Sequence, residues 1–538
     1  MDYPSEQPDQ RQGPPRLPLV NSLGNRGVLS REDARLVNAF AEKGKDGKIR
    51  VVKRPGTSVD TTLSGAGLGV YNWLGDIYAV FGTTLYKNGS SLGTVDATGT
   101  VYTFSSCLGE TPTLFLQNGV KSYTYNATDG LDAVALATTI SVTGDTHTTA
   151  VIDGIAPNTT GITVLSSVTG SGVPIGAYVV TVDGANQVTI SVPTTSTIND
   201  TALEFRNAGY PTATVPGVAY LDATTYVMDS SARVYGSELN DLSTWDALNN
   251  LVAQIEPDGG VCLAKQLVYV IAFKQWSTEV FYDAGNAVGS PLAPVQGAKV
   301  NFGCRAAGTV QEVEGVLIWV SSTRAGAVGA HTMEGLKAVA IDDPATSRLL
   351  QSVSYTGCYS FGCRIGAHKL YVVTFPASNL TLCYELGSGL WSQWTDSSGN
   401  YFPFIAACAK SDHEVILQHA TDGKLYLLKA TTYLDAGAAL PVDVYTPNWD
   451  GGVKRVKTLN RLDLIADQTP GSVVTVRSND ADYDPTKWSN PRTMDLSRRA
   501  PNLPQGGSFH TRAYHIRHVC NTPLRVEAFE LDVWLGTV

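Results

Sequence analysis

The acidic stretch SNDADYDPTKW, residues 478–488, has spacing like that of a metal-binding loop. Asp480, Asp482 and Asp484 alternate as the first ligands of a calcium-binding loop do. That loop needs a glycine at its sixth position and a bidentate glutamate at its twelfth, and prolines occupy both places here. We therefore predict a solvated turn, and no metal or other cofactor for the protein.

Several carboxylates could take part in glycan hydrolysis, which needs two of them facing each other across a cleft. Glu279, Asp283 and Glu334 are candidates, but nothing in their spacing singles them out. The sequence contains neither a phosphate-binding GxxxxGK loop nor an HExxH helix motif. We predict that the protein is not an enzyme, with a glycan-binding or glycan-hydrolysing β-propeller as the alternative.

The eight cysteines are scattered along the chain. Cys358, Cys363 and Cys383 lie near His368, but their spacing is wider than that of paired zinc ligands. Small secreted domains stapled by disulfides have denser cysteines than this. Reduced, buried thiols are predicted.

Basic residues gather near the C terminus, although the formal net charge of the chain is −10. The acidic balance argues against tight sequence-independent DNA binding. The basic set is a candidate docking surface for an acidic neighbour, and it comprises Lys454, Arg455, Lys457, Arg498, Arg499 and Arg512. Three histidines of the same region, at 510, 515 and 518, are predicted to face a neighbouring subunit or solvent rather than a metal.

The elements that position these residues are predicted to be strands. Charged residues make up 16% of the chain, whereas Gly, Thr, Ser, Val and Tyr are plentiful. The segment DIYAVFGTTLYKNGSSLG, residues 76–93, contains apolar runs separated by tight turns, which is typical of a β-hairpin. Six further hairpins of this kind follow before residue 431.

Four strands can be written around several of these hairpins, with a unit length of about 35 to 50 residues, which is the size of one β-propeller blade. We predict an all-β chain whose propeller of six or seven blades spans residues 61–136 and 208–438. Residues 137–207 are rich in Thr and Val with almost no charge, and predict an inserted small β-sandwich.

The two ends of the chain are predicted to form a separate β-domain. Residues 439–538 form this C-terminal platform, and residues 1–60 contribute an arm and a strand to it. The final strands are expected to pair with residues 48–60. The first twenty residues are rich in Pro and Gln, which is typical of neither a signal peptide nor a membrane span.

Several short motifs, taken in order, resemble the tail hub, nozzle or packaged-DNA stabilisation proteins of short-tailed bacteriophages. The N-terminal motif is Asn38 followed by Lys-Arg-Pro-Gly at 53–56, and the C-terminal motif combines Ser478, Asp480 and Trp488. The signature positions are Asn38, Arg54, Pro55, Gly56, Ser478, Asp480 and Trp488. On residue type alone, Arg54-Pro55-Gly56 predicts a turn, because proline fixes φ and glycine accepts a positive φ.

The resemblance implies a structural virion protein. Its relatives form six-fold rings that extend the DNA channel below the portal and adaptor, retain the packaged genome and hold fibres or spikes. The expected partners are further copies of the chain, the adaptor and portal proteins, a fibre or spike protein, and DNA that passes without sequence-specific binding. Location in the virion tail and assembly in the host bacterial cytoplasm follow from the same resemblance.

Overall fold

The computed structural model describes residues 15–20, 34–286, 289–298 and 300–536. Residues 1–14 and 21–33 of the predicted N-terminal arm and strand lie outside these ranges. Within them the protein is almost entirely β-sheet, as predicted. The described α-helix is Pro344–Ser352, with short 3-10 turns at Ala307–Thr309 and Pro376–Ser378. No described helix is long and apolar enough to cross a membrane.

Seven antiparallel sheets, here called blades 1 to 7, follow one another along the described chain. Neighbouring blades are in contact, and blade 7 also contacts blade 1, so the series closes into a ring. This arrangement is the β-propeller that the hairpin series predicts.

Blade 1 has the strands Gly67–Trp73, Asp76–Phe81, Thr84–Lys87 and Ser90–Thr94. Blade 2 has Thr103–Cys107, Thr113–Gln117, Ser122–Asn126 and Gly130–Ala133. Blade 3 has Ala219–Leu221, Thr224–Met228, Arg233–Gly236 and Asn250–Val252. Blade 4 has Gly260–Gln266, Tyr269–Lys274, Thr278–Asp283 and Leu292–Pro294. The inner strand of blade 5 is split, and its strands are Gly303–Cys304, Gln311–Val313, Val316–Ser322, Val328–Glu334 and Lys337–Ala340. Blade 6 has Tyr359–Ile365, His368–Phe375, Leu380–Glu385 and Leu390–Gln393.

Blade 7 joins the two ends of the propeller sequence. Its first three strands are Phe404–Ser411, Glu414–His419 and Lys424–Lys429, and its outer strand is the N-terminal Gly56–Thr62, which pairs with Lys424–Lys429. Short strands at Leu434–Asp435 and Ala438–Ala439 extend the sheet. The outer strand lies across the predicted boundary at residue 60, and it closes the ring by hydrogen bonds within one blade.

The second strands of the blades are apolar on both faces. In blade 4, Val270, Ile271, Ala272 and Phe273 are all fully buried. A strand with a packed blade on each side has no solvent face, so its sequence is a continuous apolar run rather than an alternation. All eight cysteines are free. Five of them are buried, as predicted, whereas Cys358, Cys408 and Cys520 are partly exposed.

Between blades 2 and 3 the chain forms the insertion module. Its six strands make one sheet: Thr139–His147, Val151–Ala156, Ser167–Gly170, Val179–Gly184, Gln187–Ile190 and Thr197–Arg206. The strands at the two ends of that sheet are joined by a bridge between Ser167 and Tyr178. The chain enters and leaves the module at adjacent points, because Leu136 and Tyr210 form a parallel bridge.

The platform consists of two sheets that enclose one apolar core. One sheet has Arg16–Pro18, Ala39–Lys43, Ile49–Lys53, Lys457–Ala466, Asn502–Phe509 and Arg525–Leu535. The other has Arg35–Val37, Val442–Tyr445, Val473–Asn479, Arg492–Asp495 and Ala513–His518, and it continues into blade 6 through Val37 and Gln393. Val51 pairs with Val526, which confirms the predicted pairing of the two chain ends.

Candidate functional site

The N-terminal signature residues form a buried junction between the platform, blade 6 and blade 7. The Arg54 side chain has no solvent exposure. Its Nε donates to Asn38 Oδ1 (3.0 Å), its Nη2 donates to the Thr395 carbonyl (2.9 Å), and both Nη atoms bind the Asp435 carboxylate. Five donors in a planar fork can satisfy several acceptors at once, so one arginine connects segments that lie far apart in the sequence.

Asn38 completes this junction from the platform side. It adopts a φ of 54° and is fully buried. Its Nδ2 donates to Thr395 Oγ1 (2.8 Å) and to the Pro441 carbonyl (3.0 Å), while its Oδ1 also accepts from the Thr395 N–H (2.8 Å). Asparagine tolerates the left-handed region better than most residues and offers both donors and an acceptor, which this position requires.

The prediction of a turn at Arg54-Pro55-Gly56 is wrong. Gly56 is the first residue of a strand and does not have a positive φ. A Cβ atom at this position would lie 2.1 Å from the Leu434 carbonyl oxygen. Glycine is needed here because two backbones approach closely, and not because the chain turns.

The C-terminal signature residues form a second internal link. Arg512 donates from Nε (2.6 Å) and Nη2 (2.7 Å) to the two carboxylate oxygens of Asp480, and it stacks over the Phe509 ring. Ser478 donates its backbone N–H to Ser489 Oγ (2.8 Å). The stretch 478–488 therefore carries a structural ion pair, and no group of three His, Cys, Asp or Glu side chains suited to a metal occurs in the described ranges.

Trp488 packs against an aromatic group in the platform. Its ring meets those of Tyr445 and His515 edge-on, and these two rings stack at 4.2 Å between centroids. His515 Nε2 lies 2.7 Å from the Asp443 carboxylate. Aromatic pairs of these geometries stabilise a fold beyond their buried area.

The prediction that the three histidines face a neighbour or solvent is wrong for two of them. His515 and His518 are buried, and only His510 is exposed. His518 lies 3.0 Å from Ser472 Oγ, and burial lowers its pKa to about 4, with the nearby Lys53 contributing. Burial likewise lowers the pKa of Lys53 to about 8, and its ammonium donates to the Cys520 carbonyl (2.9 Å).

The predicted basic docking set divides into exposed and buried members. Lys457 is buried, with its ammonium bonded to the carbonyls of residues 453, 455 and 510, and burial lowers its pKa. Arg512 is bonded to Asp480 as described above. Lys457 and Arg512 therefore cannot belong to an exposed docking surface.

The exposed members lie in two pairs. Lys454 and Arg455 precede the strand Lys457–Ala466, whereas Arg498 and Arg499 follow Asp495 and lie beside the other end of that strand, where the Leu464 N–H bonds to the Pro501 carbonyl. A ten-residue strand is roughly 30 Å long. The structure thus separates the basic set into two sites at opposite ends of the platform.

The candidate hydrolytic carboxylates do not face one another. Glu279 is buried and accepts from Lys274 (2.6 Å), which also contacts Asp258 at 3.0 Å. Asp283 caps its own turn by accepting from the Gly285 N–H (2.7 Å), and Glu334 is exposed at the end of a strand in blade 5. A buried ion pair of this kind serves the packing of blade 4.

A cavity of about 530 Å³ is lined by residues in or next to the inner strands of all seven blades. Its wall includes Tyr102, Leu263 and Phe361, and among the described residues its charged side chains are Lys265 and Glu312. A single carboxylate in a largely apolar channel does not provide the pair that glycoside hydrolysis requires.

The insertion module and the platform leave the propeller at well-separated points. The module joins between blades 2 and 3, and the platform joins blades 6 and 7. Three blades separate these junctions in one direction round the ring and four in the other. The chain therefore carries two different attachments on nearly opposite sides of one propeller.

A protein-family model for phage stabilisation, described as the β-propeller of bacteriophage P22 Gp10, matches residues 159–433, slightly more than half of the chain. No curated protein matches the sequence. Similar solved structures include BamB from Moraxella catarrhalis, with 10% identity, 70% of this chain and 100% of that chain covered, and a TM-score of 0.34. The computationally designed Ika8 protein has 10% identity, 70% and 99% coverage, and a TM-score of 0.32.

Proposed function

Because the chain belongs to the phage-stabilisation family of the bacteriophage P22 Gp10 β-propeller, and is thus a structural protein of a phage tail that stabilises packaged DNA, we propose that it forms a ring in that tail. Six copies surround the DNA channel below the portal and adaptor, and the ring holds fibres or spikes. The protein assembles in the host cytoplasm, carries no catalytic activity and takes part in genome ejection.

The family match carries this proposal, and the placement of the two attachments supports it. A closed ring needs a contact in which different surfaces of two identical subunits meet. A propeller with a platform on one side and a module on the other offers two such surfaces. The net charge of −10 suits a protein past which DNA must slide, because a net negative charge does not attract the phosphates.

The orientation proposed for the subunit has the platform facing the adaptor through Arg498 and Arg499. Both are exposed, and Arg498 retains 76% of its side-chain surface in a loose 3.6 Å pair with Asp495. Such a surface pair contributes little to stability, so these guanidinium groups are available to an acidic partner.

The test is a phage that carries Arg498→Glu and Arg499→Glu together. We expect the purified variant to fold normally, but virions to lose tails and DNA, because the reversed charges repel an acidic partner. Salt screens this repulsion in the variant and the attraction in the wild type, so the difference between the two should shrink as salt rises. Reversing Lys121 and Lys337, exposed lysines of blades 2 and 5, gives a matched control of equal charge change. Variant virions that keep tails and DNA as well as the control does would disprove the proposed orientation.

A further inference from the structure

Two loops of the propeller contact each other, and each exposes a large apolar side chain. Leu108 follows the inner strand of blade 2 and is 68% exposed, and Leu239, in the long loop of blade 3, is 69% exposed. The loops are in contact, since Cys107 Sγ lies 3.5 Å from the Asn240 carbonyl oxygen. Adjoining exposed leucines of this kind are typical of an interaction surface.

The same surface is acidic. Its segments are 107–112, 222–223 and 237–249, and they contain no basic residue. The Asn240 N–H donates to the Ala223 carbonyl (2.8 Å), which brings the second segment against the third. Partial burial raises the pKa of Glu238, and the carboxylates of Asp246 and Asp241 raise it further. We call these three segments the acidic face, and its chemistry suits a partner that is both apolar and basic.

The far end of the platform has this complementary chemistry. Trp534 is 71% exposed and Leu535 is 57% exposed. The loop with Lys454 and Arg455 lies beside them, because the Gly536 N–H donates to the Val456 carbonyl (2.8 Å). Within residues 450–456 the acidic side chain is Asp450, and the basic ones are the exposed Lys454 and Arg455. We call residues 453–455, 534 and 535 the basic tip.

We propose that the basic tip of one subunit docks on the acidic face of a second copy of the chain. The inference rests on the proposed ring and names the two surfaces that build it. Tryptophan and arginine are the residue types that dominate binding energy at interfaces, and the basic tip exposes one of each. Leu108 and Leu239 of the acidic face offer an apolar surface on which Trp534 can pack. The tip and the face are different surfaces of one subunit, so the contact is head-to-tail and can propagate from copy to copy.

Two double variants of the full chain test the contact by sedimentation velocity. Arg455→Glu with Trp534→Ala removes the tip, and Leu108→Ser with Leu239→Ser removes the face. All four side chains are exposed, so both variants should fold. Each variant alone should self-associate at least about 30-fold more weakly than the wild type. Ile175→Ser, at an exposed apolar position in the insertion module, is the matched control and should associate normally.

An equimolar mixture of the two variants gives the sharpest result. Each partner keeps one intact surface, so the mixture should form a one-to-one dimer and nothing larger. A mixture that remains monomeric, variants that associate like the wild type, or a monomeric wild-type protein would each overturn the inference. The proposed ring is tested separately by counting subunits around the tail axis in electron micrographs, so the two failures can be told apart.

Discussion

Replacing Arg54 should weaken the junction between the platform and the propeller. In Arg54→Met the apolar stem still packs near Phe402, whose ring centroid lies 4.7 Å from the guanidinium carbon, but every hydrogen bond of the fork is lost. Asp435 keeps a single 3.3 Å bond from Thr57 Oγ1. Asn38 Oδ1 keeps its bond from the Thr395 N–H.

The expected loss in the free energy of unfolding depends on the Asp435 carboxylate, which the substitution leaves without its arginine partner. Removing one partner of a buried ion pair costs about 3 to 5 kcal/mol, mainly because the other charge stays buried. The Asp435 side chain is 12% exposed and can recover some hydration, so we expect the lower end, about 3 kcal/mol. Domains of ordinary stability have a free energy of unfolding of about 5 to 15 kcal/mol, so a loss of about 3 kcal/mol is a large fraction of the total.

The assay is urea denaturation followed by tryptophan fluorescence and by circular dichroism. Adding Asp435→Asn to Arg54→Met removes the stranded charge and should recover about half of the loss, which a double-mutant cycle measures. Arg498→Ala is the matched control at an exposed arginine and should change stability by less than about 0.5 kcal/mol. If Arg54→Met loses no more than this control does, the hydrogen bonds at the junction do not hold the two parts together.

Three further outcomes are expected. Gly56→Ala should destabilise the fold by about 1 to 3 kcal/mol in the same assay, because its Cβ would meet a carbonyl oxygen of the neighbouring strand. Replacing residues 137–207 with a short Gly-Ser bridge should leave a soluble propeller, as measured by circular dichroism and gel filtration, since the ends of the module are adjacent. Because burial lowers the pKa of His518 from 6.5 to about 4, the unfolded chain binds the proton more tightly. Stability should therefore fall as the pH drops from about 6.5 to about 4, and the urea midpoint of His518→Gln should show a flatter decline.

The hairpins could be predicted because their signals are local. Asn88 and Gly89 adopt φ angles of 47° and 83°, which are the values that an Asn-Gly hairpin turn requires. The pairing of Gly56–Thr62 with Lys424–Lys429 has no such signal, since more than 350 residues separate the two strands. Ring closure therefore has to be read from the structure.

The prediction from charge type alone placed two buried residues, Lys457 and Arg512, in an exposed basic set. For Lys457, the alternation of side chains along its strand indicates the burial. Lys457, Leu459, Leu462 and Leu464 all point into the platform, with a bulge between residues 459 and 461. A side-chain period of two places Lys457 on the same face as Leu459, so the lysine had to be buried. Arg512 stands just before its strand, and its contacts with Asp480, the Phe509 ring and the Gly506 carbonyl have no signal in the strand pattern.

The motifs that carry the family resemblance are structural links within one subunit. Arg54 binds Asn38 and Asp435, and Arg512 binds Asp480, so each buried arginine joins segments distant in sequence. Residues in such links are constrained by the fold and are unavailable to a partner. The contact that we propose between subunits instead uses exposed positions such as Leu239 and Trp534, which belong to no motif. Substitutions in the signature should thus lower the stability of every subunit alike, whereas substitutions at the exposed positions should change assembly and leave the subunit folded.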